Sequence, residues 1–246
     1  MGSLRGTGPR PGCRRLIDRV VVALEVEVRR MPPRALLERQ PASVGTVSLC
    51  EPTGGAVVLG SSQPESVADA DRCREAGLDV LRRRSGGGAV LVRPGGQLWV
   101  DVFVPRGDDR FDDDVLASFA FLGSAWCEAL ADSLPGAGAS LSVASGRSAP
   151  ATTWSKVLCF AGLGAGEVSV EGRKVVGISQ RRDRLGAWFH SMALLDLDPI
   201  ELPSLLDLDP GDRAEAAGAL ASGATAVPGG SSAAPALLAA LIDHLS

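Results

Sequence analysis

Hydrophobic and polar residues run along this chain in short blocks whose period changes often. Thr46–Leu49, Ala56–Leu59, Leu78–Arg83, Ala89–Val92 and Leu98–Val104 are apolar runs bounded by Gly and Pro, and each predicts a strand. A Pro52–Gly55 turn separates the first two. Pro94-Gly95-Gly96 separates the last two, and its chemistry predicts a hairpin. Glu65–Ala76 has a helical pattern, with Ser66 as its predicted cap and Gly77 as its stop. A stronger helix follows the acidic run Asp108–Asp114. Val115, Phe119, Leu122, Trp126 and Ala129 recur at helical spacing and form one apolar face. The carboxylates stand at its predicted N-terminus, where negative charge is favoured, as a solvated helix start. Pro135–Ser140 and Ser145–Thr153 read as loops around a short Leu141–Val143 strand. Val157–Phe160, Glu167–Val170, Lys174–Gln180 and Phe189–Leu195 read as further strands separated by Gly. The chain then turns to Ala, Leu, Gly and Ser, with a flexible linker over Gly223–Ser232 and a terminal helix over Pro235–Leu245. Upstream of Val44 the pattern is poor. Residues 1–15 read as disordered. Leu16–Met31 fits helix and strand alike until Pro32-Pro33 stops it, and Ala35–Gln40 is at most a short helical piece. Many short strands with few helices predict an α+β domain on a mixed sheet.

Composition narrows the chemistry. The 246 residues suit one domain with one sizeable core. A net charge of −4 and a pI of about 5.3 argue against a nucleic-acid partner. Of 25 basic residues only Lys156 and Lys174 are Lys; Tyr is absent, and the two His are His190 and His244. Two His cannot furnish a multi-His metal site, and no metal ligand set is predicted. Arg is charged at any working pH and is a poor proton acceptor, so the rare ammonium groups stand out. Five cysteines, Cys13, Cys50, Cys73, Cys127 and Cys159, lack CxxC spacing and predict free thiols in a reducing cytosol. No secretory h-region is seen, and Val20–Val28, interrupted by Glu25 and Glu27, is too short to span a bilayer. The chain reads as cytoplasmic, with no membrane partner.

Two segments carry chemistry. In the first, Arg82-Arg83-Arg84-Ser85-Gly86-Gly87-Gly88-Ala89-Val90, three glycines expose backbone N–H groups and let a ligand approach the main chain closely. Neighbouring Arg side chains suit a carboxylate or phosphate. The segment is neither a Walker P-loop nor a GxGxxG turn, and a Gly-rich bend beside a solvated Arg cluster explains it equally well. In the second, Glu171-Gly172-Arg173-Lys174-Val175-Val176-Gly177-Ile178-Ser179-Gln180, a Gly turn presents a Lys at the start of a strand. A Lys near an anion site can neutralise a carboxylate or phosphoryl oxygen. A solvent-facing edge-strand Lys is the plainer reading, but the rarity of Lys in this chain favours a role that Arg cannot fill.

Together the two segments resemble the lipoate–protein ligase and octanoyltransferase family, which shares the biotin/lipoate protein ligase catalytic domain. RRRSGGGAV is followed downstream by EGRKVVGISQRR and then His190. VLGSSQ at Val58–Gln63, the strand Leu98–Val104 and the Cys159-Phe160-Ala161 step agree in order. The resemblance implies an α+β (α/β) fold. Its mixed, largely antiparallel sheet would carry flanking helices, as in biotin ligases and class II synthetases. It implies a catalytic domain over residues 44–205, between a poorly defined segment 1–43 and an Ala/Leu/Gly-rich tail 206–246. It also implies attachment of a lipoyl or octanoyl group, from lipoate or octanoate, to a Lys of a lipoyl carrier domain. That carrier would be a 2-oxoacid dehydrogenase E2 or a glycine-cleavage H-type protein. The acid would be activated with ATP and Mg2+ as an acyl-adenylate. Carried over by position, Arg83, Ser85, Gly86, Gly87, Gly88, Ala89, Gly177 and His190 would line the substrate and adenylate site. Lys174 would bind the acyl carbonyl and phosphate oxygens.

Cys159 opens a second route. In octanoyltransferase members a Cys at this step takes the acyl group from an acyl carrier protein as a thioester; a small buried residue on an apolar strand is the plain alternative. The chain also departs from the family. Val92 and Arg93 stand where many ligase members carry a His-Asp pair, and Gly95 and Gly96 stand at the Gly-Asn step. A member that binds lipoyl or biotinyl groups without catalysis fits that departure.

Overall fold

The computed structural model describes residues 23–40, 44–134, 140–146 and 152–246. Its strands are β1 (Glu25–Met31), β2 (Thr46–Pro52), β3 (Gly55–Leu59), β4 (Leu78–Arg82), β5 (Val90–Val92), β6 (Gln97–Pro105), β7 (Leu141–Val143), β8 (Val168–Val170), β9 (Arg173–Arg182) and β10 (Gly186–Leu194). Its α-helices are α1 (Pro33–Glu38), α2 (Ala70–Glu75), α3 (Ala120–Ser133), α4 (Thr153–Val157), α5 (Glu201–Ser204), α6 (Pro210–Gly223) and α7 (Ala234–Leu245). A seven-stranded sheet runs in the order β1-β2-β6-β10-β9-β8-β7, and a three-stranded sheet in the order β4-β3-β5. Only the β1/β2 and β3/β4 pairs are parallel among the named pairings. The sheet is therefore mixed and largely antiparallel, as the family resemblance implies.

Period-two alternation divides the core. On β6, Val100 and Val102 face one way, into a first core with Trp126 and Leu130 of α3 and Leu237 and Leu241 of α7. Trp99 faces the other way, into a second core with Val57 and Leu59 of β3, Leu158 and Leu206. Full burial of such side chains stabilises the fold by about 1.5–3 kcal/mol each. Asp101 lies on the same side as Trp99, between the two sheets, where the functional side chains collect.

Several expectations change in the structure. Val157–Phe160 is not a strand: α4 ends at Val157, and Cys159–Ala161 is a 3-10 turn. A four-residue apolar run bears no period that separates the two states. Pro94-Gly95-Gly96 makes a turn, with Gly95 at φ 75°, but not a hairpin. β5 pairs with β3 while β6 enters the large sheet. The Glu65–Ala76 helix is divided into a 3-10 turn at Glu65–Val67 and α2, and Asp69 rather than Ser66 caps α2 by accepting from Asp71 N and Arg72 N. Val115 is exposed, because the helical segment begins at Ala117. Asp108 is buried and paired with Arg110 at 2.8 Å, so the acidic run is not wholly a solvated helix start. Gly223–Ser232 is no loose linker: Thr225 N donates to Lys174 O and Val227 N to Leu194 O, and Ala224 and Val227 are buried. Residues 25–31 form the edge strand β1 of the large sheet, ahead of the expected start at Val44. The disorder expected over residues 1–15, with Cys13, and the loops over 135–139 and 147–151 lie outside the described residues. Among the described residues no helix is long and apolar enough to cross a membrane.

Candidate active site

The glycine loop joins β4 to β5 and is tied down by Arg83. The Arg83 guanidinium donates to Gly86 O at 2.8 Å, Gly88 O at 2.9 Å and Val58 O at 3.3 Å. Arg83 thus holds the loop's carbonyls, and its amide-binding fork is not free for a ligand anion. Gly87 sits at φ 100°. A Cβ on Gly88 would come within 2.7 Å of the Leu158 backbone, and one on Gly60 within 1.8 Å of Gly87 O. The loop therefore needs glycine both within itself and in the facing turn. Gln63 fixes that turn by accepting from Gly60 N and donating to Val157 O. Ser85 Oγ lies 2.9 Å from Ser179 Oγ. Ala89 clamps the Cys159 turn, donating to Val157 O and accepting from Cys159 N. Among the described residues, the N–H groups of Gly86, Gly87 and Gly88 have no intramolecular partner.

Lys174 is placed by a tight hairpin and a bulge. Glu171 and Gly172, at φ 52° and 77°, form the two-residue β8–β9 loop. Val168 then opposes Val176 while Ser169 opposes Lys174. The extra residue lets Val175 and Val176 both enter the first core and shifts the alternation, which puts Lys174 on the other side. Its side chain is buried. Nζ pairs with Glu167 Oε1 at 2.6 Å, donates to Cys159 O at 2.7 Å and Gly162 O at 3.3 Å, and lies 4.9 Å over the Phe160 ring. Glu167 also accepts from Gly164 N and Ile178 N. A buried ammonium needs a paired carboxylate, and Glu167 supplies it.

Two spaces meet beside these groups. An apolar slot of about 470 Å3, open mouth included, lies between the sheets among Val58, Val92, Trp99, Phe160 and Met192. A wider, more polar cleft of about 1380 Å3, likewise with its mouth, is lined by Gly86–Gly88, Lys156, Gly162, Glu167 and Lys174. Cys159, Ile178 and Ser179 line both and mark the junction. The slot can take a hydrocarbon chain, and the cleft can take the polar head to which it is joined.

His190 lines the slot, with Nδ1 2.9 Å from Asp101 Oδ1. Asp101 is buried and also accepts from Trp99 Nε1 at 2.7 Å and Arg39 Nη2 at 2.9 Å. Burial raises its carboxyl, but His190, Arg39 and Trp99 outweigh that and hold it below the usual value. Strand registers place Glu27, Ser48, Asp101, His190 and Ser179 in one row across five strands. Ser48 Oγ donates to Glu27 Oε1 at 2.7 Å, completing a polar band beside the slot.

Of the residues singled out in the sequence, Gly86, Gly87, Gly88 and Lys174 face the cleft, Arg83, Gly177 and His190 line the slot, and Cys159 lines both. Ser85 reaches the junction through Ser179. Ala89 lines neither and acts on the backbone. Lys156 is exposed at the cleft's rim. Cys50 and Cys73 are buried; burial pushes both thiols up, with Asp101 adding to the shift at Cys50 and Asp69 at Cys73. His244 sits between Glu128 and Asp132, away from the site. Sequence reading missed Glu167, Ser179 and Arg39. The signal for Glu167 was the rare Lys itself, whose burial would require a nearby carboxylate.

None of the curated proteins compared matches the chain significantly. Among solved structures, the chain resembles that of the bi-partite lipoate protein ligase and its E2 lipoyl domain from Thermoplasma acidophilum. The TM-score is 0.63 at 20% identity, over 90% of this chain and 83% of that one. A second protein of the same organism, with bound lipoic acid, gives 0.63 at 17%, over 91% and 86%. A lipoate-protein ligase A bound with ATP gives 0.61 at 17%, over 91% and 86%. At these identities the likeness establishes the fold. The family model of the lipoyl protein ligase A/B catalytic domain matches residues 34–227, most of the chain. The protein therefore belongs to the lipoyl protein ligase A/B catalytic domain family.

Proposed function

We propose that this protein attaches a lipoyl or octanoyl group to a Lys of a lipoyl carrier domain, of E2 or H-type, through an acyl-adenylate formed from ATP. The observation that carries this reading is the junction, where the apolar slot opens beside Lys174 and the unpartnered Gly86–Gly88 amides. The slot holds the acyl chain and brings its carboxylate to Cys159, Ile178 and Ser179. The carboxylate oxygen attacks the α-phosphorus, and pyrophosphate leaves. The loop N–H groups and Lys174 face the charge that develops on the phosphoryl oxygens. The carrier's amine then attacks the acyl carbonyl, AMP leaves, and the amine's proton passes to solvent. Lys174 has all three ammonium donors engaged. Its longest bond, to Gly162 O, is the one that a substrate oxygen replaces. Among the described residues no group of three or more His, Cys, Asp or Glu side chains is placed to hold a metal. Magnesium enters this reading with the nucleotide, as part of the substrate. Cys50, Cys73, Cys127 and Cys159 are free thiols, which suits a cytoplasmic location.

The position of Cys159 on both spaces favours one second reading. Its thiolate would attack the acyl thioester of an octanoyl carrier protein and release the carrier's thiol. The lipoyl domain's amine would then take the octanoyl group and free Cys159. Two parallel incubations of a purified lipoyl domain separate the routes, one with lipoate and MgATP and one with octanoyl carrier protein. Modification in the first supports the ligase. Modification in the second alone rejects it in favour of the transferase. Binding of lipoate with modification in neither rejects both in favour of a non-catalytic member.

A further inference from the structure

Both lysines of the chain line the polar cleft, and only one has its charge answered inside the protein. Among the described residues, Lys156, Glu167 and Lys174 are the charged side chains of the cleft wall. Lys174 and Glu167 pair at 2.6 Å in the interior, so together they offer an incoming anion no net charge. Lys156 is exposed, and among the described residues no carboxylate lies within ion-pairing distance of it. It is the one uncommitted cation on the wall.

Its place in the chain sets it beside both halves of the site. Lys156 stands in the last turn of α4. On one side, the glycine loop closes on the residues that follow Lys156. A Cβ on Gly88 would come within 2.7 Å of the Val157 and Leu158 backbone, and Ala89 N donates to Val157 O at 2.7 Å. On the other side, Ser155 packs on Gly162, where a Cβ would lie 2.5 Å from the Ser155 Cβ. Gly162 O in turn accepts from Lys174 Nζ. The α4 segment is thus wedged between the unpartnered Gly86–Gly88 amides and the carbonyls that hold Lys174.

Adenylate formation calls for a cation at this place. A bond forms between the acyl carboxylate and the α-phosphorus, the bond from that phosphorus to the β-phosphoryl oxygen breaks, and its electron pair leaves with pyrophosphate. Charge therefore grows on the leaving group as well as at the α-phosphoryl oxygens. Magnesium, entering with the nucleotide, neutralises part of it. The buried Lys174–Glu167 pair cannot follow the departing group outward. An ammonium on a flexible stem at the rim can, and it binds phosphate as a compact point charge.

We infer that Lys156 binds the β- and γ-phosphates of the nucleotide and holds pyrophosphate as it leaves. The inference rests on the acyl-adenylate reading above.

The test is calorimetric binding of MgATP and of AMP to the full chain, wild type and Lys156→Ala, with urea midpoints as a control for folding. Lys156→Ala is expected to weaken MgATP by about tenfold or more, the scale of losing a hydrogen bond to a charged group. AMP, which lacks the outer phosphates, is expected to bind within about twofold of wild type at an equal urea midpoint. Lys156→Arg keeps the charge and is expected to restore most of the MgATP affinity. Equal losses for MgATP and AMP would overturn the assignment to the outer phosphates. Unchanged MgATP binding would overturn it too, and with a raised KM for the lipoyl domain would make Lys156 a docking residue for the carrier instead. A wild-type chain that binds neither nucleotide overturns the adenylate reading itself, and this inference with it.

Discussion

Lys174 Nζ lies 2.6 Å from Glu167 Oε1, and neither side chain is more than 7% exposed. Removing one partner of such a pair strands a buried charge. Glu167→Gln is expected to destabilise the protein by about 3–5 kcal/mol, read as a lower urea midpoint at unchanged m-value. The double variant Lys174→Met/Glu167→Leu is expected to recover most of that loss, because replacing a whole buried pair by apolar groups is often neutral. A double variant as unstable as the single would contradict the pairing.

Lys174→Arg keeps the charge but not the shape. The Lys174 Cε packs 3.2 Å from where a Gly177 Cβ would be, and Phe160 closes the same side. The planar guanidinium has no room to reach the junction. Acyl attachment is expected to fall by about 10²–10³-fold, the scale of losing one oxyanion donor, in a steady-state assay on a lipoyl domain. Near-normal turnover would refute the assigned role.

The glycine loop makes a contrast within three residues. Gly88→Ala drives a Cβ to 2.7 Å from the Leu158 backbone, whereas a Cβ at Gly86 meets nothing within 4 Å. Gly88→Ala is expected to cost about 1–3 kcal/mol by overpacking and to abolish nucleotide binding in a calorimetric titration. Gly86→Ala is expected to fold with wild-type stability. Equal stabilities would show that the loop does not seat against the Cys159 turn.

What was legible in the sequence follows local rules. β3, β4, β6, β9 and β10 announce themselves as apolar runs ended by Gly or Pro, and α7 by its periodic Leu. In the SGGGAV and GRKVVG segments the glycines have steric causes, which makes the turn before β5 and the turn before Lys174 legible as turns. The remainder depended on distant partners. Pro94–Gly96 has hairpin chemistry, yet the small sheet draws β5 to β3 and leaves β6 to the large one. Arg83 looked like an anion ligand, but the carbonyls it binds belong to a loop conformation that no spacing reveals. A single Glu at position 167 has no pattern of its own; only the tertiary fold brings it to Lys174. The β8–β9 bulge, which decides the face that Lys174 takes, leaves no mark in hydropathy.

Asp101 gives the protein an acid-sensitive side. Its folded-state carboxyl is held below the reference value of 3.8. The unfolded chain therefore binds the proton more readily, and the group's contribution to stability is complete above that reference value. It is lost as pH falls through the lower, folded-state value. Thermal melts are expected to show midpoints that decline below about pH 4, with a shallower decline in Asp101→Asn. An identical acid limb in the variant would remove Asp101 from the account.

The central claim is that acyl attachment proceeds beside Lys174, at the junction of slot and cleft. The most direct measurement is the intact mass of a purified lipoyl domain after incubation with the wild-type protein, lipoate and MgATP, alongside the same reaction with Lys174→Ala. The account predicts a gain of one lipoyl group with the wild type and none with the variant. Equal gain with both, or no gain from the wild type with any acyl donor, would contradict it.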